Sequence, residues 1–238
     1  MGYSPEQTTW MNPSIEYLFD EDIREYDITD AGYSLIKQFK LLPESEIQRL
    51  GRLDKGIERH IEVGKMQRDN KEFSNHLLKA FRDARFYFIE TNKLTDDKII
   101  SVKKDAIFTI GEVERTKFGQ VVFVPKNTYS SYLRFPNIQN LEIYYNKNGI
   151  DFKQMNDHSV AKHRLYTVEF LNTFIHKMEY KDHSLKRFMI DHIMKYKAMV
   201  LEEEYYLEFN NKSENINPIF NYRELLIPLL LLVQKEIR

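Results

Sequence analysis

Two short strand-like runs each set one aspartate among apolar neighbours. The first is Ile23-Arg24-Glu25-Tyr26-Asp27-Ile28, continuing into Thr29-Asp30-Ala31-Gly32-Tyr33. The second is Ile99-Ile100-Ser101-Val102-Lys103-Lys104-Asp105-Ala106-Ile107-Phe108. A carboxylate in such a run is costly to bury unless it is paired or holds a cation. Two of them, carried on different strands, can meet at one point and hold divalent metal ions, the arrangement used for phosphoryl transfer. Asp27 and Asp105 are therefore the candidate catalytic and metal-binding residues, with Mg²⁺ or Mn²⁺ as cofactor. The plainer reading makes each a turn residue or a helix cap, with Lys103 and Lys104 neutralising Asp105 at the surface.

The segment Asp27-Ile28-Thr29-Asp30-Ala31-Gly32-Tyr33 resembles the first palm motif of single-subunit RNA polymerases of the phage and mitochondrial type. In that motif an aspartate on a strand is followed five residues later by glycine, as Asp27 is by Gly32. Lys104-Asp105-Ala106-Ile107-Phe108-Thr109 is similar to the family's last palm motif. It departs by carrying Lys104 where the family has histidine, and Ile107 shifts the aromatic by one place. The resemblance covers these two short motifs and their order. It implies a palm-like nucleotidyltransferase in which Asp27 and Asp105 hold the metals and Gly32 and Tyr33 cradle a nucleoside triphosphate. Gly32 would also leave room for a ribose 2′-hydroxyl. The same resemblance asks for a helix presenting cations to the triphosphate. Arg59, Lys65 and Arg68 are the candidates, with Arg52 and Lys55 beside them, although the family's tyrosine-glycine pair is absent. These cations alternate with Glu58, Glu62 and Asp69, which is also how a solvated helix face reads.

A third segment, Lys126-Asn127-Thr128-Tyr129-Ser130-Ser131-Tyr132-Leu133-Arg134-Phe135, interleaves basic and aromatic residues. Lys126, Tyr129, Tyr132 and Arg134 are candidate nucleic-acid contacts, through base stacking and phosphate pairing. On a strand the two tyrosines also serve as ordinary sheet residues with wet hydroxyls. His158, His163, His176, His183 and His192 show no His-Glu-x-x-His pattern and no four-residue pair, so a zinc site is not expected. Glu202-Glu203-Glu204 reads as an exposed helix end. A Gly-rich phosphate loop and a Gly-x-Ser-x-Gly elbow are absent, which sets aside P-loop hydrolases and α/β-hydrolases.

The bulk numbers narrow the classes. A net charge of −1 provides no global basic field for nucleic acid or anionic membrane. With no cysteine, disulfides, thiolate metal sites and a cysteine nucleophile are excluded. The first residues lack the basic and apolar regions of a signal peptide, and the longest apolar run, Leu225 to Val233, falls short of a membrane span. A cytoplasmic protein is expected. An abundance of Lys, Asn, Ile and Tyr points to an A·T-rich genome, hence to a virus.

Three functions follow as expectations. The first is a metal-dependent, polymerase-like nucleotidyltransferase, whole or as a viral subunit or degenerate remnant, with nucleic acid and nucleoside triphosphates as partners. The second is a non-catalytic viral protein that binds a protein partner through its aromatic surface or its apolar C-terminal helix. The third is a two-metal nuclease, for which Asp30 and Glu112 offer additional acids.

The elements that must position these residues follow from periodicity. Residues 1–20 read as an irregular leader, because Pro5 and Pro13 discourage a helix. A strand ends at Ile28 and a helix follows from Ala31 to about Phe39. A second helix opens at Pro43. From Arg52 to Asn92 the pattern is helical, with breaks expected at Gly51 and Gly56. Strands are predicted at Ile99–Val102, Ala106–Ile110, 120–124, 129–135, 141–145 and 150–153, with Asn146-Lys147-Asn148-Gly149 as a hairpin turn. Helices return from about His158 to Tyr206, a polar loop spans 210–217, and a last helix, bent near Pro228, fills 222–237. The expected fold is α+β, with helices on a mainly antiparallel sheet. The domains expected are a leader (1–20), a palm-like domain (21–155) and a helical C-terminal region (156–238).

Overall fold

The N-terminal segment is built into sheets rather than left loose. It forms two two-residue strands, β1 (Trp10–Met11) and β2 (Tyr17–Leu18). Proline is tolerated beside such short edge strands. Trp10 is buried and packs edge-on against Tyr3, and Asn12 donates to the carbonyls of Asp96 and Ile99. The computed structural model describes residues 2–138, 140–153, 164–202, 205–206 and 222–236. Expectations at His158, His163, Glu203, Glu204 and the 210–217 loop lie outside the described residues.

The chain divides into two units, Met1–Ile15 with Asp22–Thr128, and Glu16–Glu21 with Tyr129–Arg238. One division between these units follows Thr128, and the strands form two sheets. The physical reason is tertiary: Ser130 separates two strands, and its amide bonds to the carbonyl of Tyr145 in the second sheet.

In the first unit, β3 (Ile23–Ile28) is followed by α1 (Ala31–Phe39), α2 (Glu44–Gly51), α3 (Ile57–Asp69) and α4 (Lys71–Thr91). A turn of 3₁₀ helix leads to β4 (Ile99–Val102), β5 (Ala106–Ile110), β6 (Lys117–Phe118) and β7 (Val121–Tyr129). The sheet order is β1-β4-β5-β3-β7-β6, so β3 and β5 lie at its centre and pair antiparallel. One face of the sheet, with Tyr26, Ile28, Val102, Ile107 and Phe123, is covered by α1 and α4 through Leu35, Ile36, Leu77, Phe81 and Phe88. Phe88 alone meets the rings of Tyr26 and Phe123 at 5.4 and 4.5 Å, and aromatic clustering of this kind adds to plain area burial. The long helical run 52–92 is broken at Asn70. This residue is extended, and its side chain accepts from the amide of Phe73 at 3.0 Å, capping α4.

The second unit pairs β8 (Ser131–Phe135), β9 (Leu141–Asn146) and β10 (Gly149–Lys153) in the order β10-β9-β8-β2. Three helices, α5 (Arg164–Glu179), α6 (Leu185–Lys197) and α7 (Tyr222–Glu236), build its core with Leu133, Phe135, Leu141 and Ile143. Pro228 lies inside α7. Together the two units make an α+β protein with antiparallel pairing.

Two predictions follow from this packing. Asn70→Ala removes a helix cap and is expected to destabilise the protein by about 1 kcal/mol in urea denaturation, whereas Asn70→Asp keeps most of that. An unchanged midpoint for the alanine variant would show that the cap contributes nothing. His192 packs against Phe170 and Phe188, and burial pushes its imidazole down from 6.5 to about 4, helped by Lys195. Because the folded value lies below the unfolded one, the stability tied to the neutral ring is complete above pH 6.5. It is lost as pH falls through about 4. A pH series of melting temperatures on wild type and His192→Phe should show a shallower acid slope for the variant.

Candidate active site

The central strand pair brings Asp27 and Asp105 together. Asp27 is opposite Ala106 in the β3–β5 ladder, and the amide of Ile28 donates to the carbonyl of Asp105 at 3.0 Å. Asp27 thus stands next to the end of one strand where Asp105 leads into its neighbour. The turn carrying Asp105 is held from behind by Arg85 of α4, whose side chain is fully buried. Its guanidinium donates to the carbonyls of Lys103 (3.2 Å), Lys104 (2.6 Å) and Gln7 (2.9 Å), and to the Tyr3 hydroxyl. Arg85 was not singled out from the sequence. The signal was there, because it stands in the apolar stripe Leu77, Phe81, Ala84, Phe88, where an arginine is expected only with partners.

Opposing electrostatic effects meet at Asp27. Burial lifts the Asp27 carboxyl above its ordinary 3.8; hydrogen bonding from Lys126 opposes the shift, while the nearby Asp105 and Glu25 charges add to it. Lys126 of β7 donates to Asp27 at 2.8 Å, and this hydrogen bond is the main reason that its ammonium is held above 10.5. Glu25, buried two residues before Asp27, accepts from Asn127 at 2.7 Å.

Beside Asp27 and Asp105 opens a cleft of about 350 Å³. Its apolar floor is Val63, Leu77 and Phe81, and the first turn of α1 (Ala31, Gly32, Tyr33) lines one side. Lys55, Arg59 and Lys104 bring cations to the same space, and His60 an imidazole. His60 and Lys104 were not proposed as ligand contacts from the sequence. Asp30, the residue before α1, is left-handed and makes no side-chain cap, and the first turn contains no acidic residue. Those amides present a positive end to the cleft.

Arg59 is fixed rather than poised. Its guanidinium donates to the carbonyls of Leu50, Gly51 and Leu53, forms an ion pair with Asp30, and lies 4.3 Å from the centre of the Tyr33 ring. It lines the cleft, but its donors close the end of α2. Lys65 and Arg68 lie outside the cleft lining, half-exposed or more, against Glu62 and Asp69. Gly32 has a packing reason: a Cβ there would meet Val63 at 3.0 Å, so the glycine lets α1 and α3 approach.

The basic and aromatic segment is divided. Lys126 belongs to the first unit; Tyr129, Tyr132 and Arg134 belong to the second. Both tyrosines are buried, Tyr132 completely. The Tyr132 hydroxyl donates to Glu142 at 3.3 Å, the Tyr129 hydroxyl donates to Asp151, and burial drives the Tyr132 phenol far upward. Arg134 is opposite Glu142 in the β8–β9 ladder. A ring with no exposed face cannot stack a base, so the sheet-residue reading describes these two tyrosines. For a nuclease, the additional acids are engaged elsewhere. Asp30 pairs with Arg59, and Glu112 acts on Arg24, toward the other end of β3. Among the described residues no group of three or more His, Asp or Glu side chains is gathered as a metal cage. Asp27 and Asp105 would leave the remaining coordination to a ligand and water.

The family described as Bacteriophage PBS1 gene 130 protein matches residues 3–224. The chain belongs to that family. It is thus a phage-type protein, as the composition suggested. No curated protein matches it. Among the described residues, no helix is long and apolar enough to cross a membrane.

Arg59→Met would leave Asp30 without this ion-pair partner and remove a donor from each of the carbonyls of Leu50, Gly51 and Leu53. The expected loss is about 3 kcal/mol in urea denaturation. A loss below about 0.5 kcal/mol would mean that water replaces those bonds, as at exposed ion pairs.

Proposed function

We propose that this phage protein is a palm-like, metal-dependent nucleotidyltransferase whose site is the cleft of the first unit. The observation that carries the reading is the pairing of β3 with β5, which sets Asp27 and Asp105 side by side at the edge of a cation-lined cleft. The donor chemistry suits a hard divalent cation, because two carboxylates crowd one another in a partly dry place. Asp27 and Asp105 would hold Mg²⁺ or Mn²⁺. Bound there, the metal would activate an attacking hydroxyl and neutralise the leaving pyrophosphate.

The chain's own residues do the rest. Lys55 and Lys104, with the uncapped first turn of α1, supply positive charge for a triphosphate, and His60 offers a hydrogen-bonding imidazole. Arg59 positions Asp30 and the Tyr33 ring. Val63, Leu77 and Phe81 provide an apolar floor that excludes water beneath the substrate. The order of the two aspartate segments, and Gly32 five residues after Asp27, support the likeness to single-subunit polymerase palms.

A second reading, a phage protein that works by binding a partner, draws support from the exposed apolar side chains Ile190 and Met194 on α6 and Met199 and Val200 beyond it.

An assay for Mg²⁺- or Mn²⁺-dependent nucleotide incorporation on primed and unprimed templates separates the two. Asp27→Asn and Asp105→Asn are each expected to lower the rate by about a thousandfold or more with melting temperature unchanged. A wild-type protein inactive with every nucleotide and template, or active variants, would sink the enzyme reading.

A further inference from the structure

Lys126 makes an unusual choice of partner for a solvent-seeking side chain. It is carried on β7 and is 53% exposed, yet its ammonium turns inward to Asp27 at 2.8 Å. There it sits in the field of Asp105 and Glu25 as well. Asp105 stands in the turn just before β5, the strand that pairs with β3. Asp27 and Glu25 share β3, and the amide of Ile28 is bonded to the carbonyl of Asp105. Lys104, next to Asp105 in sequence, lies over the Phe81 ring at 5.0 Å. The ammonium that reaches Asp27 is carried on a flexible four-carbon stem with one side open to water.

We propose that Lys126 is a resident counter-ion of the Asp27–Asp105 pair, which a divalent cation displaces when it binds. The inference rests on the metal-site reading given above. A doubly charged ion shared by both carboxylates neutralises the pair better than one ammonium bonded to Asp27 alone. An ion pair as exposed as this one is weak, so breaking it opposes metal binding only modestly. The stem can carry the ammonium outward to solvent without any change in the strands. In this role Lys126 keeps the carboxylates of the metal-free protein from repelling one another. It also lowers the affinity of the site for metal by competing for Asp27.

Binding of Mn²⁺ alone to the full-length chain, read from the electron paramagnetic resonance signal of the free ion, tests this directly. Lys126→Met is expected to bind Mn²⁺ about tenfold more tightly than wild type, and Asp27→Asn to lose the binding in either background. Equal or weaker binding by Lys126→Met, with Asp27→Asn still abolishing it, overturns the counter-ion role and leaves the metal site standing. Failure of both wild type and Lys126→Met to bind, or binding that survives in the Lys126→Met/Asp27→Asn double variant, overturns the metal reading and the inference with it. A second readout covers a poorly folding variant. In wild type labelled at lysine Cε, the Lys126 resonance should shift on adding Mg²⁺ and should stay put in Asp27→Asn. A Lys126 resonance unmoved by saturating Mg²⁺ in wild type overturns the displacement.

Discussion

A buried guanidinium has five donors to satisfy, and the first unit is organised around two such groups. Arg85 takes carbonyls from the turn before Asp105 and from the N-terminal segment, so α4, β4, β5 and the leading residues are fastened at one point. Arg59 does the same for α2, α3 and the entrance to α1. Each accepts a desolvation penalty that only several simultaneous hydrogen bonds can offset. The result is rigidity on both flanks of the carboxylate pair. The loops before Asp105 and after Asp27 are held by interior cations, so their geometry does not depend on the loops' own weak preferences.

Much of the fold could be read from local pattern. Helix α1 occupies Ala31–Phe39, as apolar spacing indicated, and β4 and β5 begin and end where apolar runs meet the Thr95-Asp96-Asp97 turn and Gly111. Asn70 was missed because the apolar period continues across it, and only a cap residue with a free carbonyl oxygen marks the break. The short β1 and β2 were illegible for a different reason. Two-residue strands have no period, and they exist only because β4 and β8 offer edges to pair with. The split of the strands into two sheets is likewise tertiary, for no residue near Thr128 has a composition that separates it from its neighbours.

The site was legible in part. The approach of Asp27 to Asp105 follows from strand pairing, which the two aspartate-bearing runs suggested. The choice among the cations of 52–68 did not follow, because alternation of charge along a helix says nothing about which residues face a neighbouring helix. Arg59, Lys65 and Arg68 look alike in sequence, yet only Arg59 turns inward. The tyrosines of 129–135 show the converse. Their hydroxyls are satisfied by Glu142 and Asp151, acids distant in sequence, and that pairing makes an aromatic run an interior feature.

The threading of the N-terminal segment through both sheets has a consequence for how the chain is made. Its first strands leave the ribosome before anything they can pair with. Partners for β1 and β2 appear on the order of a hundred residues later, so both pairings carry high contact order and close late. Until then Trp10 and Tyr17 remain on an unpaired, adhesive stretch of chain. Nor can the units be parted by a single cut. Cleavage after Thr128 strands residues 16–21 with the first unit and deprives the second sheet of its edge. What the contacts divide into two, the path of the backbone crosses three times.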